Sequence, residues 1–198
     1  MQVETRAYCE VCGFLVVQCV CRWLSPISTS IQILVIQEAK EAKHAKNTVS
    51  LLRLALPQVT CIDSDDKEKL LSTLSELDYS KWRLVYPCEG AVDIETLDHE
   101  SSSRLEGIIL LDGTWRKAKK LYLTDPLLHK FNAVKFAMPP ACQYDIRKSP
   151  NGQALSTLEA CAYAVEQITG QSMQALRDFM VSSQRWQWRK RPLADDSH

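Results

Sequence analysis

The chain has 198 residues, of which 45% are hydrophobic and 24% are charged, which is enough for one full-sized domain with a buried core. It carries 24 Lys and Arg against 24 Asp and Glu, and this zero net charge excludes a strongly basic arm protein or an acidic tail protein. Its six Gly and eight Pro exclude a fibrous or disordered chain, and no apolar run approaches the roughly 20 residues of a membrane span.

The N-terminal segment is rich in cysteine and lacks the features of a signal peptide. Residues 1–9 contain no apolar h-region, so we expect a cytoplasmic protein without a secretory signal. Four cysteines follow with the spacing C-x2-C-x6-C-x-C, namely Cys9, Cys12, Cys19 and Cys21. Thiolates this close together in a cytosolic chain are typical of a tetrahedral zinc site, while disulfide or redox use and simple burial are the alternatives. We therefore predict a zinc-binding knuckle over 1–26 and a second domain over 27–198.

The chain after the cysteines alternates between strand and helix patterns. Apolar, β-branched runs predict strands at 31–36, 82–86, 107–112 and 133–138, with a short apolar piece at 59–62. Amphipathic patterns predict helices at 39–56, 65–74, 115–128, 156–169 and 173–189, and residues 88–104 are expected to form a polar loop. A capping box from Ser156 to Glu159 marks one helix start, and Asp65 or Ser64 is the predicted cap of another. This alternation predicts an α/β fold with a mainly parallel sheet and flanking helices.

Three predicted strand ends carry polar residues of the kind that bind ligands. They are 86–91, 111–115 and the stretch after Met138, which reaches to residue 160. Ligands of parallel sheets bind at the carboxyl ends of the strands. Asp112 at a strand end, Gly113 beside it and Thr114 at a helix start would form a polar pocket, although the same run also fits a tight turn with an N-cap.

Several ligand-binding motifs are missing from the sequence. It contains neither G-x-G-x-x-G nor G-x4-G-K-[ST], and neither H-E-x-x-H nor G-x-S-x-G. A dinucleotide oxidoreductase and a nucleotide-fold hydrolase are therefore disfavoured.

The zero net charge hides an uneven distribution along the chain. Residues 1–60 carry six basic and four acidic side chains, residues 61–112 carry five and 13, and residues 113–198 carry 13 and seven. A basic face built from the two ends of the chain would suit phosphate groups. The alternative is that charges simply follow the exposed surface.

Five motifs occur along the chain in an order typical of one protein family. They are the four cysteines, Asn47-Thr48 with Leu51 and 55–57, Tyr86-Pro87-x-Glu89-x-Ala91, the D-x-T-W run within 111–118, and Tyr144-x-x-Arg147 with 156–160. Together they make the chain similar, from about Tyr8 to Phe179, to the DTW-domain family of tRNA-uridine aminocarboxypropyltransferases. Two features depart from the family pattern: Glu38-Ala39 stand where the family often has His-Pro, and no proline separates the cysteine pairs.

The resemblance implies a fold related to the SPOUT methyltransferases, including their knot, with S-adenosylmethionine in loops at the strand ends. It implies transfer of the 3-amino-3-carboxypropyl group to N3 of a tRNA uridine, with release of 5′-methylthioadenosine. Two other functions stay open, a SPOUT-type RNA methyltransferase and a non-catalytic, zinc-bearing RNA-binding protein. Many SPOUT relatives dimerise, but this family need not, and we expect a monomer.

The resemblance also suggests roles for individual residues. Asp112 would accept or orient the N3 proton, with Thr114 and Trp115 beside it, although a Trp at a helix start also packs into cores. The residues predicted to bind S-adenosylmethionine are Pro87, Glu89, Leu111, Gly113, Thr114, Ser156, Thr157 and Glu159. The zinc ligands are the four N-terminal cysteines.

Basic residues after the D-x-T-W run are the predicted tRNA contacts. They are Arg116, Lys119, Lys120, Arg147, Lys148 and Arg189, and Arg147 suits the S-adenosylmethionine carboxylate equally well. Residues 185–191 interleave basic side chains with Trp186 and Trp188, a pattern that suits phosphate contact with base stacking. The alternative is a solvated basic helix whose tryptophans partly pack.

Overall fold

A parallel sheet forms the centre of the computed structural model, which describes residues 7–44, 47–144 and 155–189. Within these ranges the strands are Gln32–Gln37 (β1), Val59–Asp63 (β2), Trp82–Val85 (β3), Val92–Asp93 (β4), Gly107–Asp112 (β5) and Asn132–Lys135 (β6). All neighbouring pairs are parallel, in the order β2-β1-β5-β3-β6-β4. Strand β5 therefore lies in the middle, between β1 and β3. The predicted parallel α/β fold is confirmed, and the SPOUT-like class and its knot stay predictions.

Helices cover both faces of this sheet. They are Ala39–Ala42 (α1), Thr48–Ala55 (α2), Lys67–Glu76 (α3), His99–Ser103 (α4), Trp115–Thr124 (α5), Thr157–Thr169 (α6) and Gln174–Gln187 (α7). None of the helices in the described ranges is long and apolar enough to cross a membrane.

The alternation of side chains along the strands separates two apolar cores. In β1, Ile33 and Val35 point to the face covered by α2, α6 and α7, whereas Leu34 and Ile36 point to the face covered by α3 and α5. Because both faces are covered, the central strands are apolar at nearly every position, which explains their unbroken sequence patterns.

The single helix predicted at 39–56 is wrong. Helix α1 ends at Ala42 and α2 begins at Thr48, because Asn47 is the N-cap of α2. Its backbone is extended, and its side-chain oxygen accepts a hydrogen bond from the N–H of Val49 at 2.8 Å. An amphipathic pattern that continues through such a cap does not reveal the break.

Other predicted boundaries also shift for local reasons. Residues 88–104 are not only a loop, since they contain β4 and α4, and the N-cap of α4 is Asp98. Asp66, rather than Asp65 or Ser64, caps α3. Helix α5 ends at Thr124 instead of 128, and β6 ends at Lys135 instead of 138. The predicted capping box of α6 is confirmed, with Ser156 as the N-cap.

Candidate functional site

Asp112 lies at the carboxyl edge of the sheet, as the last residue of the middle strand β5. It is paired in register with Gln37, the last residue of β1. Alternate residues of a strand point to the same face of the sheet. Gln37 therefore shares a face with Ile33 and Val35, and Asp112 shares a face with Ile108 and Leu110. This is the face that α2 and α6 cover. Parallel topology thus brings two polar side chains, 75 residues apart in sequence, to one point.

A chain of hydrogen bonds surrounds the Asp112 carboxylate. The amide Nε2 of Gln37 donates to Asp112 Oδ2 at 2.8 Å, and the hydroxyl of Thr157 donates to Asp112 Oδ1. Gln37 Nε2 also donates to Asn47 Oδ1 at 3.2 Å. The structure therefore joins the ends of β1 and β5 to the first residues of α2 and α6. Thr157 contacts Asp112, its role in binding S-adenosylmethionine stays a prediction, and Gln37 had no predicted role.

The rest of the D-x-T-W run forms a turn from β5 into α5. Gly113 has a φ of +142°, which side chains rarely adopt, and a Cβ there would lie 3.5 Å from Lys117 Cβ. Thr114 is the N-cap of α5 and accepts from the N–H of Lys117 at 3.4 Å. Trp115 is 59% exposed, so the core-packing alternative for this residue is wrong. A large aromatic ring left in solvent at the start of the helix that follows Asp112 is available to a ligand.

Lys117 forms ion pairs that tie α5 to the residues following β1. Its ammonium contacts the carboxylate of Glu38 and lies 3.0 Å from Glu41 Oε1. Hydrogen bonds to these two carboxylates raise the pKa of Lys117. Glu38, at the position where the family often has His, therefore serves as a partner of Lys117.

The other predicted S-adenosylmethionine ligands occupy different parts of the same edge. Pro87 and Glu89 are exposed in the loop after β3, and Leu111 packs against the core on the α3 and α5 side. Glu159 is only 2% exposed, and it accepts hydrogen bonds from the N–H of Gln143 at 2.5 Å and of Ser156 at 2.8 Å. Ser156 and Glu159 thus form the capping box, and Glu159 also holds the backbone at Gln143.

Glu95 is a polar residue at this edge that sequence analysis missed. Its carboxylate accepts from the hydroxyl of Tyr163 at 2.7 Å and from the N–H groups of Ala137 and Met138 at 3.2 and 3.1 Å. Burial opposes its ionisation, but these hydrogen bonds prevail and lower the pKa of Glu95. The same contacts hold Ala137 and Met138, shortly after the end of β6, against Tyr163 of α6. Because Glu95 lies in a polar stretch, no periodic pattern marked it.

The four N-terminal cysteines converge as predicted. Their sulfur atoms all lie within 4.8 Å of one another, and the sulfur–sulfur distances of Cys9 to Cys21, Cys12 to Cys19 and Cys9 to Cys19 are 3.7, 3.8 and 3.6 Å. All four are free thiols, so the disulfide alternative is not realised. Four thiolates about 2.3 Å from a tetrahedral zinc ion would lie about 3.8 Å apart, so the donor set fits this ion.

The pKa values of these thiols shift in different directions. Hydrogen bonds from the backbone N–H groups of Cys12 and Val11 lower the pKa of Cys9 to about 6. Burial and the neighbouring thiols raise the pKa of Cys21 to about 12 when no cation is present. A divalent ion would offset this repulsion between sulfur atoms and stabilise all four thiolates.

The cysteine knuckle docks on the end of α7 through stacked cations and rings. The guanidinium of Arg22 lies 3.7 Å from the ring centroid of Trp23 and 4.1 Å from that of Trp186. Arg189 covers Trp186 at 3.5 Å and donates to the carbonyl of Val17 at 2.9 Å. Trp186 is therefore partly packed, which agrees with the alternative to base stacking. We refer to Arg22, Trp23, Trp186 and Arg189 as the cation–π clamp.

The predicted RNA-binding residues are divided between two surfaces. Arg116, Lys119 and Lys120 are exposed on α5, directly after the D-x-T-W run. Arg189 is exposed at the far end of α7, where its guanidinium already belongs to the cation–π clamp. Arg147 and Lys148 lie outside the described residues.

Comparison with known proteins identifies the family. The profile of the DTW domain matches residues 6–185. tRNA-uridine aminocarboxypropyltransferase 2 from Drosophila melanogaster is 32% identical over 189 residues, which cover 89% of this chain and 71% of that protein. The proteins of the same name from Macaca fascicularis and Mus musculus are both 30% identical over 170 residues, which cover 82% of this chain and 56% of each of them. No solved structure matches this chain. With a family match over nearly its whole length, the chain belongs to the DTW-domain family.

Proposed function

We propose that this protein transfers the 3-amino-3-carboxypropyl group of S-adenosylmethionine to N3 of a uridine in tRNA and releases 5′-methylthioadenosine. The observation that carries the proposal is the Asp112 carboxylate, held by two donors at the carboxyl end of the middle strand. The exposed Trp115 follows in the same D-x-T-W turn. The names of the relatives support the same reaction class.

The transfer is a displacement at the γ-carbon of the methionine portion. The bond between uridine N3 and this carbon forms while the bond from the carbon to the sulfonium sulfur breaks. The electron pair of the broken bond stays on sulfur, which leaves as the neutral thioether of 5′-methylthioadenosine. Because N3 carries a proton at neutral pH, this proton must be accepted, and we assign that role to Asp112.

The Asp112 network suits a base of this kind. Each carboxylate oxygen has two lone pairs, and the donors from Gln37 and Thr157 use one on each oxygen. Within the described residues, a further lone pair is left to accept the N3 proton. The two donors fix the plane of the carboxylate before substrate arrives, which favours transfer by positioning.

The surroundings of Asp112 match the two substrates. Helices α2, α5 and α6 all begin at this edge, and the positive end of a helix dipole favours an anion such as the carboxylate of the methionine portion. Thr114 follows β5, and the exposed loop with Pro87 and Glu89 follows the neighbouring parallel strand β3, so both lie at the same edge of the sheet. Trp115 offers a face for stacking a base, and Arg116, Lys119 and Lys120 offer charges to tRNA phosphates.

We assign the cysteine knuckle a structural role. Cys9, Cys12, Cys19 and Cys21 would hold zinc with a complete set of four protein ligands, which is typical of structural rather than catalytic zinc. Such an ion supplies folding energy to a short segment with little core of its own.

The proposal is tested by incubating the protein with S-adenosylmethionine and unmodified tRNA, followed by mass spectrometry of the nucleosides with mapping of the modified position. We expect aminocarboxypropyl-uridine and an equal amount of 5′-methylthioadenosine. A methylated nucleoside with S-adenosylhomocysteine would instead establish a methyltransferase. Bound tRNA without either product would favour the non-catalytic RNA-binding protein.

A further inference from the structure

We propose that Gln37 is a positioning residue for the transfer reaction, because it sets the orientation of the Asp112 carboxylate. The inference rests on the proposed function, in which Asp112 is the base. It assigns to Gln37 a role in proton transfer without contact to either substrate.

The first support is the placement of the two side chains. Gln37 and Asp112 end neighbouring strands in register, and their side chains lie on the same face of the sheet. Gln37 is only 7% exposed, which is unusual for an uncharged amide at the end of a strand. A buried amide must use its hydrogen-bonding groups within the protein, and Gln37 directs its NH2 group to Asp112.

The second support is that the amide of Gln37 has one favoured orientation. Its Nε2 faces two acceptors, Asp112 Oδ2 at 2.8 Å and Asn47 Oδ1 at 3.2 Å. Turning the amide over would place its oxygen against both acceptors and lose both hydrogen bonds. The donor is therefore fixed toward the carboxylate.

The third support is that Asn47 is itself held in place. Its Oδ1 also accepts from the N–H of Val49 at 2.8 Å, and its Nδ2 donates to the carbonyl of Ala42 at 3.1 Å. Asn47, as the N-cap of α2, thus fixes the amide of Gln37. Gln37 in turn donates to Oδ2 of Asp112, whereas Thr157 donates to Oδ1. The same arrangement predicts that α2 keeps its cap when Gln37 is replaced.

Among the described residues, the charged and titratable groups near Asp112 include ones on or next to β2, α1, α2 and α5. Burial raises the pKa of Cys61 on β2, the Arg53 charge on α2 opposes this rise, and the Asp112 charge adds a smaller increase. Glu38, Glu41 and Lys117 form an ion-paired group next to Gly113. These groups stay the same in the variants below, so a change in pH dependence reports on position 37.

The test uses Gln37→Met and Gln37→Glu in the full chain, with Gln32→Met as the matched control. Met has a similar length and no donor, whereas Gln32 is an exposed glutamine on the same strand at the opposite edge of the sheet. We expect Gln37→Met to lower kcat by roughly 10- to 100-fold, because misoriented groups lose catalysis of this order, and to change the KM values for S-adenosylmethionine and tRNA by less than about 3-fold. Gln32→Met should retain the kcat of the wild type.

Gln37→Glu provides a second measurement, the dependence of kcat on pH. This dependence would not change if Gln37 only stabilised the fold. Two carboxylates at hydrogen-bonding distance repel each other when both are ionised, so the pair keeps one proton to a higher pH. The pKa for losing this proton is therefore higher than that of a carboxylate beside an amide. The acid limb of the kcat–pH profile should therefore move upward by about one pH unit or more relative to the wild type. This variant has nearly the shape of Gln37, so it also provides the test if Gln37→Met does not fold, as judged by thermal unfolding.

Two results would overturn the inference in different ways. If the wild type forms product and either folded variant keeps the wild-type kcat and pH profile, Gln37 does not position the base although the proposed function stands. If the wild type itself forms neither 5′-methylthioadenosine nor modified uridine, the proposed function fails, and the role of Gln37 fails with it.

Discussion

The sheet edge around Asp112 and the cysteine knuckle are built in opposite ways. The knuckle takes its four sulfur atoms from 13 consecutive residues, and their spacing alone brings them together. The Asp112 network takes Gln37, Asn47, Asp112 and Thr157 from four separate elements, and only the strand order brings them together. A local site can be predicted from spacing, whereas a site assembled by topology cannot.

The two regions also differ in what they leave open. The four thiols of the knuckle face one another and complete a closed tetrahedral set. Among the described residues, the Asp112 network leaves lone pairs of its carboxylate unused, and the exposed Trp115 follows in the same turn. The comparison therefore predicts that changes at the sheet edge affect catalysis and that changes at the knuckle affect stability.

The largest effect is expected for Asp112→Asn. This change keeps the size of the side chain and removes the base, so we expect product formation to fall by roughly 100-fold or more. Asp63→Asn is the matched control, because Asp63 ends β2 at the same edge. Both variants should unfold near the wild-type temperature. Transfer by Asp112→Asn at the wild-type rate would show that Asp112 is not the base.

The second-largest effect is expected from the loss of a zinc ligand, and it concerns stability rather than activity. Cys9→Ser removes one of four thiolates, so the purified protein should lose its zinc and unfold at a temperature roughly 5 °C lower or more. Zinc content by plasma mass spectrometry and thermal unfolding measure the two effects. Cys61→Ser, which alters a cysteine outside the knuckle, should keep the metal. A full zinc content in Cys9→Ser would contradict the four-thiolate site.

A smaller effect is expected at the cation–π clamp. Arg22→Met keeps an apolar stem and removes the cation between Trp23 and Trp186, so we expect a loss of about 0.5–1 kcal/mol and a melting temperature about 1–4 °C lower. Arg185→Met changes another exposed Arg near the same helix end and should have little effect. Equal melting temperatures for both variants would show that the clamp does not stabilise the docked knuckle.

The smallest effect concerns the pH dependence of stability through Glu95. The pKa of Glu95 is lowered in the folded state, so the ionised carboxylate stabilises the fold. This stabilisation is fully present above pH 4.5, the ordinary pKa of a glutamate, and is lost as the pH falls through the lower pKa of the folded state. Urea unfolding between about pH 3 and 7 should therefore show a shallower acid loss in Glu95→Gln than in the wild type. The exposed Glu76 is the control, and Glu76→Gln should retain the wild-type slope. An unchanged slope in Glu95→Gln would contradict this role.

Much of the fold could be predicted because its signals are local. The capping box at Ser156 and the four central strands follow from patterns within a few residues. The break before α2 was missed because Asn47 acts through its side chain while the apolar pattern continues. Gln37 was missed because its importance depends on β1 lying beside β5, and no short pattern encodes that neighbourhood. Glu95 was missed because its partners Tyr163 and Met138 are distant in sequence.

The most direct test of the central claim follows two labels of S-adenosylmethionine in one reaction. Donor labelled in the carboxyl group of the methionine portion and donor labelled in the methyl group are incubated separately with tRNA and either the wild type or Asp112→Asn. We predict that the wild type moves the carboxyl label into tRNA and leaves the methyl label in 5′-methylthioadenosine, and that Asp112→Asn moves neither at a comparable rate. Methyl label in tRNA, or equal transfer by Asp112→Asn, would contradict the account.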